Sequence, residues 1–349
     1  MEPLRLGILG AARVSSLSIA DPAHATGARL VAVAARNRER AHEFADRHRV
    51  EQVAASYLDV INNPEVEAIY NPLPNSMHAP WNLAAIAAGK HVLSEKPFAS
   101  NAAEALEVHD AAQRSPVVVF EGFHYRYHPL LKRLLSIIEN GTIGELRELD
   151  VMMAMPAPEP GDLRWSLPLA GGALMDLGCY SLHVTRTVAG LWNDEPTLLA
   201  ATVTTREGLA DVDERAEAHL RLPNGADAWA RCDMASQTWQ MTIRAAGTSG
   251  SVTIADFIHP QDDDRLILVD KDGEHVEHLG KTTTYTYQLE AFTAAVREGR
   301  PFPTTTDDSV RTMQLIDATY EAAGLPPRGM SATASSAETG SFTSRGLRL

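Results

Sequence analysis

Apolar residues fall into two successive rhythms along the chain. Between residues 4 and 123 the pattern is block-like, a short apolar run followed by a stretch with helical spacing. The runs are LRLGILG (4–10), ARLVAVAAR (28–36), VEAIYNPLP (66–74), KHVLSE (90–95) and PVVVFEGF (116–123). Helical stretches lie between them at 13–20, 38–49 (RERAHEFADRHR), 78–89 (HAPWNLAAIAAG) and 102–115 (AAEALEVHDAAQRS), with Gly89 closing the third as a C-terminal cap. Strand, helix, strand, helix in this order predicts a parallel sheet with helical crossovers.

After Phe123 the rhythm changes. HPLLKRLLSIIENGTIGE (128–145) reads as a helix with a turn at Asn140-Gly141. Strand-like runs follow: LRELDVMMAM (146–155), TLLAATVTT (197–205), AEAHLRL (216–222), ADAWARCDM (226–234), WQMTIRAAG (239–247) and GSVTIAD (250–256). Asn224-Gly225 between two of them is a hairpin signal. These runs predict a mainly antiparallel sheet. Residues 284–299 and 307–323 again have helical spacing, and the Ser/Thr/Ala/Gly-rich tail is expected to be disordered. The expected division is a first domain over 1–122, a second over 123–330, and the tail 331–349.

Composition narrows the function classes. With 349 residues the chain exceeds one ordinary core, and 44% apolar with 22% charged residues is the balance of a globular protein. No apolar window of membrane-spanning length occurs, and the N-terminus lacks the layout of a signal peptide. The two cysteines, Cys179 and Cys232, imply no disulfide framework, so a cytoplasmic location is expected. A net charge of −14 disfavours nucleic acid and anionic membranes as partners. No metal site is expected.

Candidate chemistry begins at the end of the first run, with Gly10-Ala11-Ala12-Arg13-Val14-Ser15. A dinucleotide-binding turn needs small residues where backbone meets pyrophosphate. Here alanine and serine replace the second and third glycines of that pattern, and Gly10, Ala12, Arg13 and Val14 are the expected contacts. The second run ends in Ala34-Ala35-Arg36-Asn37-Arg38 with no acid to accept from a ribose 2′-hydroxyl. Arg36 offers a planar fork for a 2′-phosphate, which favours NADP, with NAD as the alternative.

Two further segments carry reactive side chains. In Ser94-Glu95-Lys96-Pro97 the proline restricts the lysine to extended or turn backbone, which holds a cation at the edge of the sheet. In GGALMDLGCYSLHVTR (171–186), a continuous helix would place Asp176, Tyr180 and His183 at i, i+4 and i+7 on one face. Three polar side chains make a poor core stripe, so a cleft is expected. A lysine cation near the tyrosine would help it carry a proton.

These motifs resemble the Gfo/Idh/MocA oxidoreductase family. The resemblance rests on SEKP, on YNPLPNSMHAPW before it, on GGALMDLGCYSLH, and on YTYQLEAFTAAVREGRPFPT followed by MQLIDATYEAAG. AVAAR, EGFHYRYHP and the D-x-x-x-Y pattern look most like the branch of dihydrodiol dehydrogenase, xylose dehydrogenase and glucose–fructose oxidoreductase. The resemblance implies an α/β protein with an N-terminal Rossmann domain and a C-terminal α+β domain with an open, mainly antiparallel sheet. It implies hydride transfer between a nicotinamide cofactor and a sugar, polyol or cyclic diol. Lys96 matches the family's Glu-Lys-Pro lysine, Tyr180 its acid/base position, Asp176 the aspartate that orients substrate hydroxyls, and His183 a site often occupied by Asp or His. Asn71, Pro72 and His78 fall in the segment near nicotinamide and ribose, and Glu95 joins the cofactor contacts. Arg126, His128, Arg164 and Trp165 are candidates for the substrate side of the cleft, Trp165 by stacking on a sugar face. A homodimer or homotetramer through faces of the second sheet is expected from strands carrying Leu220, Leu222 and Trp229. Two other functions stay open: a dinucleotide-binding sensor without turnover, and a glycosidase-like enzyme with a tightly held cofactor.

Overall fold

The computed structural model describes residues 2–329, so the tail expected to be disordered lies outside the described residues. The first sheet holds β1 (Arg5–Leu9), β2 (Arg29–Ala34), β3 (Gln52–Val53), β4 (Ala68–Asn71), β5 (His91–Ser94) and β6 (Val119–Glu121). Its order is β3-β2-β1-β4-β5-β6 and every pair is parallel. Strands covered on both faces must be apolar on both, which is why they read as runs. Helices α1 (Asp21–Thr26), α2 (Arg38–His48), α3 (Tyr57–Ile61), α4 (His78–Ala87) and α5 (Ala102–Gln113) connect them. Asn37, Ser56 and Asn101 cap α2, α3 and α5 through their side chains. The helix expected from residue 13 starts later, as a π-turn over Ser16–Ala20 that runs into α1. β3, with two residues, and α3, with five, are too short to show a period.

The second sheet follows α6 (Pro129–Glu139) and is built from β7 (Leu146–Pro156), β8 (Thr197–Arg206), β9 (Leu209–Arg221), β10 (Asp227–Ser236), β11 (Gln240–Gly247), β12 (Ser251–Ile254), β13 (Arg265–Asp270) and β14 (Gly273–His278). Its order is β14-β13-β12-β11-β7-β10-β9-β8, antiparallel except for the parallel pair β7–β10. The alternation is visible on β10, where Ala228, Ala230, Cys232 and Met234 are buried and Asp227, Trp229, Arg231 and Asp233 face the other way. The buried face packs on a π-turn (Leu174–Gly178) and α7 (Cys179–Ala189), with Gly178 close against the Cys232 side chain.

The last two helices, α8 (Thr284–Glu298) and α9 (Thr306–Ala322), return to the first sheet. Leu289, Phe292 and Ala295 of α8 share a core with Leu6, Ile8 and Phe120, and the Phe292 and Phe120 rings meet edge to face at 5.1 Å. Asp317 of α9 accepts a hydrogen bond from Ala102 N at the start of α5, at 2.8 Å. The packing therefore is not divided at residue 122, because part of the first sheet's cover comes from the end of the chain. Among the described residues no helix is long and apolar enough to cross a membrane.

Candidate active site

The site is built from the C-terminal ends of the parallel strands. Asn71 ends β4 and stands beside Ser94, which ends β5. Asn71 Nδ2 donates to Asn82 Oδ1 at 2.8 Å, and Asn82 Nδ2 donates to Ser94 Oγ at 2.8 Å. His78, at the start of α4, lies 2.7 Å from the Pro97 carbonyl and 2.6 Å from the Leu73 carbonyl. Asn71 and His78 are fully buried. In this segment, expected to lie near nicotinamide and ribose, the Asn71 and His78 side chains form the frame that holds the 95–97 turn, with Pro72 buried between them. Glu95 is also committed inward: it accepts from Tyr70 Oη at 2.8 Å and from Lys96 N at 3.4 Å. Burial pushes its carboxyl up, against the pull of Lys96.

That frame delivers Lys96 to the second domain. Its Nζ donates to the Asp176 carbonyl oxygen at 2.7 Å and to Asp176 Oδ1 at 3.1 Å. The same ammonium lies 5.0 Å from the centroid of the Tyr180 ring. Arg164 Nε donates to Asp176 Oδ2 at 2.6 Å. Burial alone would raise the Asp176 carboxyl, but Lys96 and Arg164 hold it at about 2. Burial opposes the charge on Lys96, and Asp176, Cys179 and Glu95 outweigh it, so the lysine titrates above its ordinary range. Asp176 sits in the π-turn, whose extra residue per turn aims its carboxylate and its carbonyl at the same ammonium.

Tyr180 stands in the first turn of α7 and is buried. Its hydroxyl lies 2.9 Å from His124 Nε2. Burial drives its phenol well above the usual value, and Tyr285, Glu95, Cys179 and Asp176 add to that. The expected lowering by Lys96 is thus not the governing effect, because Asp176 already neutralises that cation.

His183 does not join this group. Its Nδ1 lies 2.6 Å from Tyr125 Oη and its Nε2 2.9 Å from Asp308 Oδ2. The Phe123 ring stands between, stacked on His183 at 3.8 Å and edge-on to Tyr180 at 5.6 Å. Arg186 also pairs with Asp308, at 2.7 Å, which ties α7 to the start of α9. One stripe with two destinations follows from placing aromatic rings between residues that a helical wheel treats as neighbours.

Other expected substrate residues are placed differently as well. Trp165 is buried, its Nε1 donates to the Pro158 carbonyl at 3.1 Å, and the Arg206 guanidinium covers its ring at 4.0 Å, so that face is closed to a sugar. His128 caps α6, accepting from Leu130 N at 3.2 Å. Arg126 lines a separate polar cavity of about 530 Å³ together with His183, Arg186 and Asp308. Arg164 is the one of the four that the structure brings to Asp176. Three residues not singled out from sequence line the group: His124, Tyr285, whose ring stacks on His124 at 3.8 Å, and Asp162.

Asp162 links the reactive group to the first turn. Arg164 Nη1 donates to Asp162 Oδ1 at 3.2 Å, and Arg13 Nη2 donates to Asp162 Oδ2 at 2.9 Å. Arg13, Asp162, Arg164, Asp176 and Lys96 form a line of alternating charge from the β1 turn to the β5 turn. The β1 turn itself has the shape a dinucleotide requires. Gly10 has φ 98°, which favours glycine, and a Cβ there would meet Leu73 at 3.1 Å. Ala11 and Ala12 are half-buried, and Val14 is exposed. At the end of β2, Arg36 is exposed with no carboxylate partner among the described residues. These residues fit a dinucleotide: a tight turn at the β1/β4 switch point and a free guanidinium at the ribose end.

Comparison with known proteins places this geometry. Residues 4–123 match the model of an oxidoreductase family with an NAD-binding Rossmann fold, and residues 131–253 match the Gfo/Idh/MocA C-terminal domain. The chain is 30% identical to a D-xylose 1-dehydrogenase (NADP(+)) of Haloferax volcanii, over 92% of this chain and 97% of that protein. It is 32% identical to a pig (Sus scrofa) trans-1,2-dihydrobenzene-1,2-diol dehydrogenase, over 72% and 74%. Its fold is similar to that of a 3-ketoreductase from Actinomadura kijaniata solved with NADP and TDP-benzene, with TM-score 0.84, 26% identity, and coverage of 92% of this chain and 98% of that one. With two family models in register along it and an NAD-binding Rossmann sheet leading into an open second sheet, the chain belongs to the Gfo/Idh/MocA family of oxidoreductases.

Proposed function

We propose that the protein is an NADP-dependent dehydrogenase or reductase that moves a hydride between the nicotinamide and a carbinol carbon of a sugar, polyol or cyclic diol, with Lys96 and Tyr180 as its catalytic pair. The observation that carries this is the Lys96 ammonium, fixed by Asp176 above the Tyr180 ring at the carboxyl end of β5. Ligands of open α/β sheets bind at that edge. When bound, the cofactor supplies the hydride acceptor or donor. The chain supplies the rest. Tyr180 exchanges a proton with the substrate oxygen, and Lys96 stabilises the negative charge that builds there. Asp176, itself held by Arg164, fixes Lys96, and Asp176 and Arg164 offer hydrogen bonds to substrate hydroxyls.

The relatives support the substrate class, since the similar proteins named above act on xylose and on a cyclic diol. Solved variants of the Actinomadura ketoreductase replace a lysine and a tyrosine separated along its chain by as many residues as Lys96 and Tyr180 are here. The test is NADPH formation from NADP on a panel of D-xylose, other aldoses, inositols and trans-cyclic diols. Turnover of a panel member supports the reading, and a cofactor that stays bound and unreduced across the whole panel overturns it.

NADP is expected to be preferred over NAD because Arg36 is free to pair with a 2′-phosphate and residues 35–38 include no carboxylate. Arg36→Ala should weaken NADP binding by about 10-fold or more while leaving NAD binding nearly unchanged, as expected for loss of a bidentate charge-assisted contact. Equal loss for both cofactors, measured by fluorescence titration, would show that Arg36 does not read the phosphate.

Leu220 and Leu222 lie on the buried face of the second sheet, whereas Trp229 lies on the open face, stacked on His219 at 4.1 Å. That face is laced by ion pairs of Arg231 with Glu217 and Asp150, and of Arg215 with Asp233. Val269 and Leu199 are exposed on flanking strands. Self-association through this face should give a dimer or tetramer in light scattering at micromolar concentration, and a monomer there would overturn it.

A further inference from the structure

His124 is fully buried at the head of a short 3-10 turn, His124–Tyr127, and both its ring nitrogens are engaged. Nε2 lies 2.9 Å from Tyr180 Oη, and Nδ1 lies 2.7 Å from Thr284 Oγ1. Thr284 Oγ1 in turn lies 3.2 Å from the Ile258 carbonyl, which has no other hydrogen-bond partner among the described residues. A carbonyl only accepts, and a hydroxyl has one proton to give. Thr284 therefore donates to Ile258 and receives from His124 Nδ1–H. A neutral imidazole carries one proton, so Nε2 presents a lone pair and Tyr180 donates its hydroxyl proton to it. The direction of the whole chain is set from its far end.

The titratable groups around the ring are Tyr180, Tyr285 stacked at 3.8 Å, His259 and Lys96. Burial holds the imidazole well below its ordinary range, and His259 and Lys96 push it the same way, so the ring is neutral at neutral pH.

We propose that His124 is the proton relay of Tyr180: as a substrate hydroxyl passes its proton to the tyrosine oxygen, Tyr180 passes its own proton to His124 Nε2. The inference rests on Tyr180 as the acid/base of the proposed reaction. In the oxidation direction the substrate O–H bond breaks and a new tyrosine O–H forms. The old tyrosine O–H breaks and an Nε2–H forms. The hydride leaves the same carbon for the cofactor, and the ring ends as imidazolium with Nδ1–H still on Thr284. Reduction runs the same steps backwards. The relay removes the need for a free tyrosinate, which burial opposes at this position. At neutral pH the phenol already holds its proton and the imidazole does not, so the lone pair open to a proton is His124 Nε2, and the imidazolium, which burial opposes, forms only as the substrate gives up its proton.

The first test needs no substrate. In protein labelled with nitrogen-15 histidine, the His124 signal, identified by its loss in His124→Phe, should show a protonated Nδ1 and a bare Nε2. The opposite tautomer, with Nε2–H donating to Tyr180, overturns the relay. The second test is the pH profile of kcat for oxidation, with NADP and D-xylose or the first panel member turned over. The wild type should be level from about pH 7 upward. His124→Gln, which keeps a polar group but cannot take a proton, should lose about 10- to 100-fold at pH 7, and the loss should shrink toward acid pH, where the wild type falls as its imidazole is protonated and the variant does not. Thr284→Val should act in the same direction more weakly. A loss equal at every pH, with cofactor binding intact, indicates a packing role only and overturns the relay. If Tyr180→Phe is impaired and the tautomer is the opposite one, the relay alone fails. Near-normal turnover in Tyr180→Phe rejects the acid/base assignment and the relay with it.

Discussion

Tyr180→Phe is expected to lower turnover by about 100-fold or more while the protein stays folded and still binds cofactor. The substitution keeps a ring that Phe123, Tyr125 and Phe257 surround, and deletes only the hydroxyl that meets His124. Lys96→Met should cause a loss of similar size, for a different reason. In the proposed reaction it removes the ammonium that would face the developing alkoxide, and it leaves Asp176 with Arg164 as its one cationic partner among the described residues. The combined variant should lose less than the product of the two, because both residues act on the same oxygen. Single-turnover kinetics with preformed enzyme–NADP complex would read this. Fully multiplicative losses would mean that the two groups act on separate steps, and near-normal turnover in either variant would remove that residue from the chemistry.

Much of this site was legible in the sequence because its parts are local. The Glu95-Lys96-Pro97 turn follows directly from a strand run, and Asp176 and Tyr180 are four residues apart, so any helical geometry brings them to one side. The first sheet was legible for a related reason. Strands buried on both faces leave uninterrupted apolar runs, and Gly89, with φ 72°, marks a helix end that only backbone geometry dictates. The failures are residues whose roles are set by distant parts of the chain. From sequence Trp165 offers an open platform, but Arg206 lies on its ring, and His128 is a candidate for the cleft, but it caps the helix it precedes. His183 shares a nominal stripe with Tyr180, yet Asp308 claims it from 125 residues away. His124 gave no signal of its own, since its meaning depends on Thr284, 160 residues further on. Periodicity reports which face a side chain leaves from and cannot report what meets it there.

The glycine pair 171–172 shows the same limit and leads to the largest expected loss of stability. From sequence the pair signals a close backbone approach, and the structure shows what approaches. Gly172 has φ 130°, and a Cβ on it would collide with the Asp213 carboxylate. Asp213 and Arg328 are both fully buried and paired at 2.5 Å. Asp213 also accepts from Tyr320 Oη at 2.9 Å and from Leu174 N, at the start of the π-turn that carries Asp176, at 2.6 Å. Arg328 Nε donates to the Gly171 carbonyl at 2.9 Å, and its guanidinium lies 4.1 Å from the centre of the Tyr320 ring. The end of the described chain is thus clamped onto the segment that leads into the reactive group. Removing one member of a buried ion pair leaves the other charge uncompensated and costs about 3–5 kcal/mol. Asp213→Ala should be the worse single variant, since it strands a guanidinium and also releases Leu174 N and Tyr320 Oη. Arg328→Met leaves the carboxylate with two neutral donors and should cost somewhat less. Because the penalty comes from the orphaned charge, the double variant should unfold at a urea concentration no lower than that of Asp213→Ala alone. A double variant whose loss equals the sum of the two singles would show that packing around each side chain, and not their pairing, carries the stability.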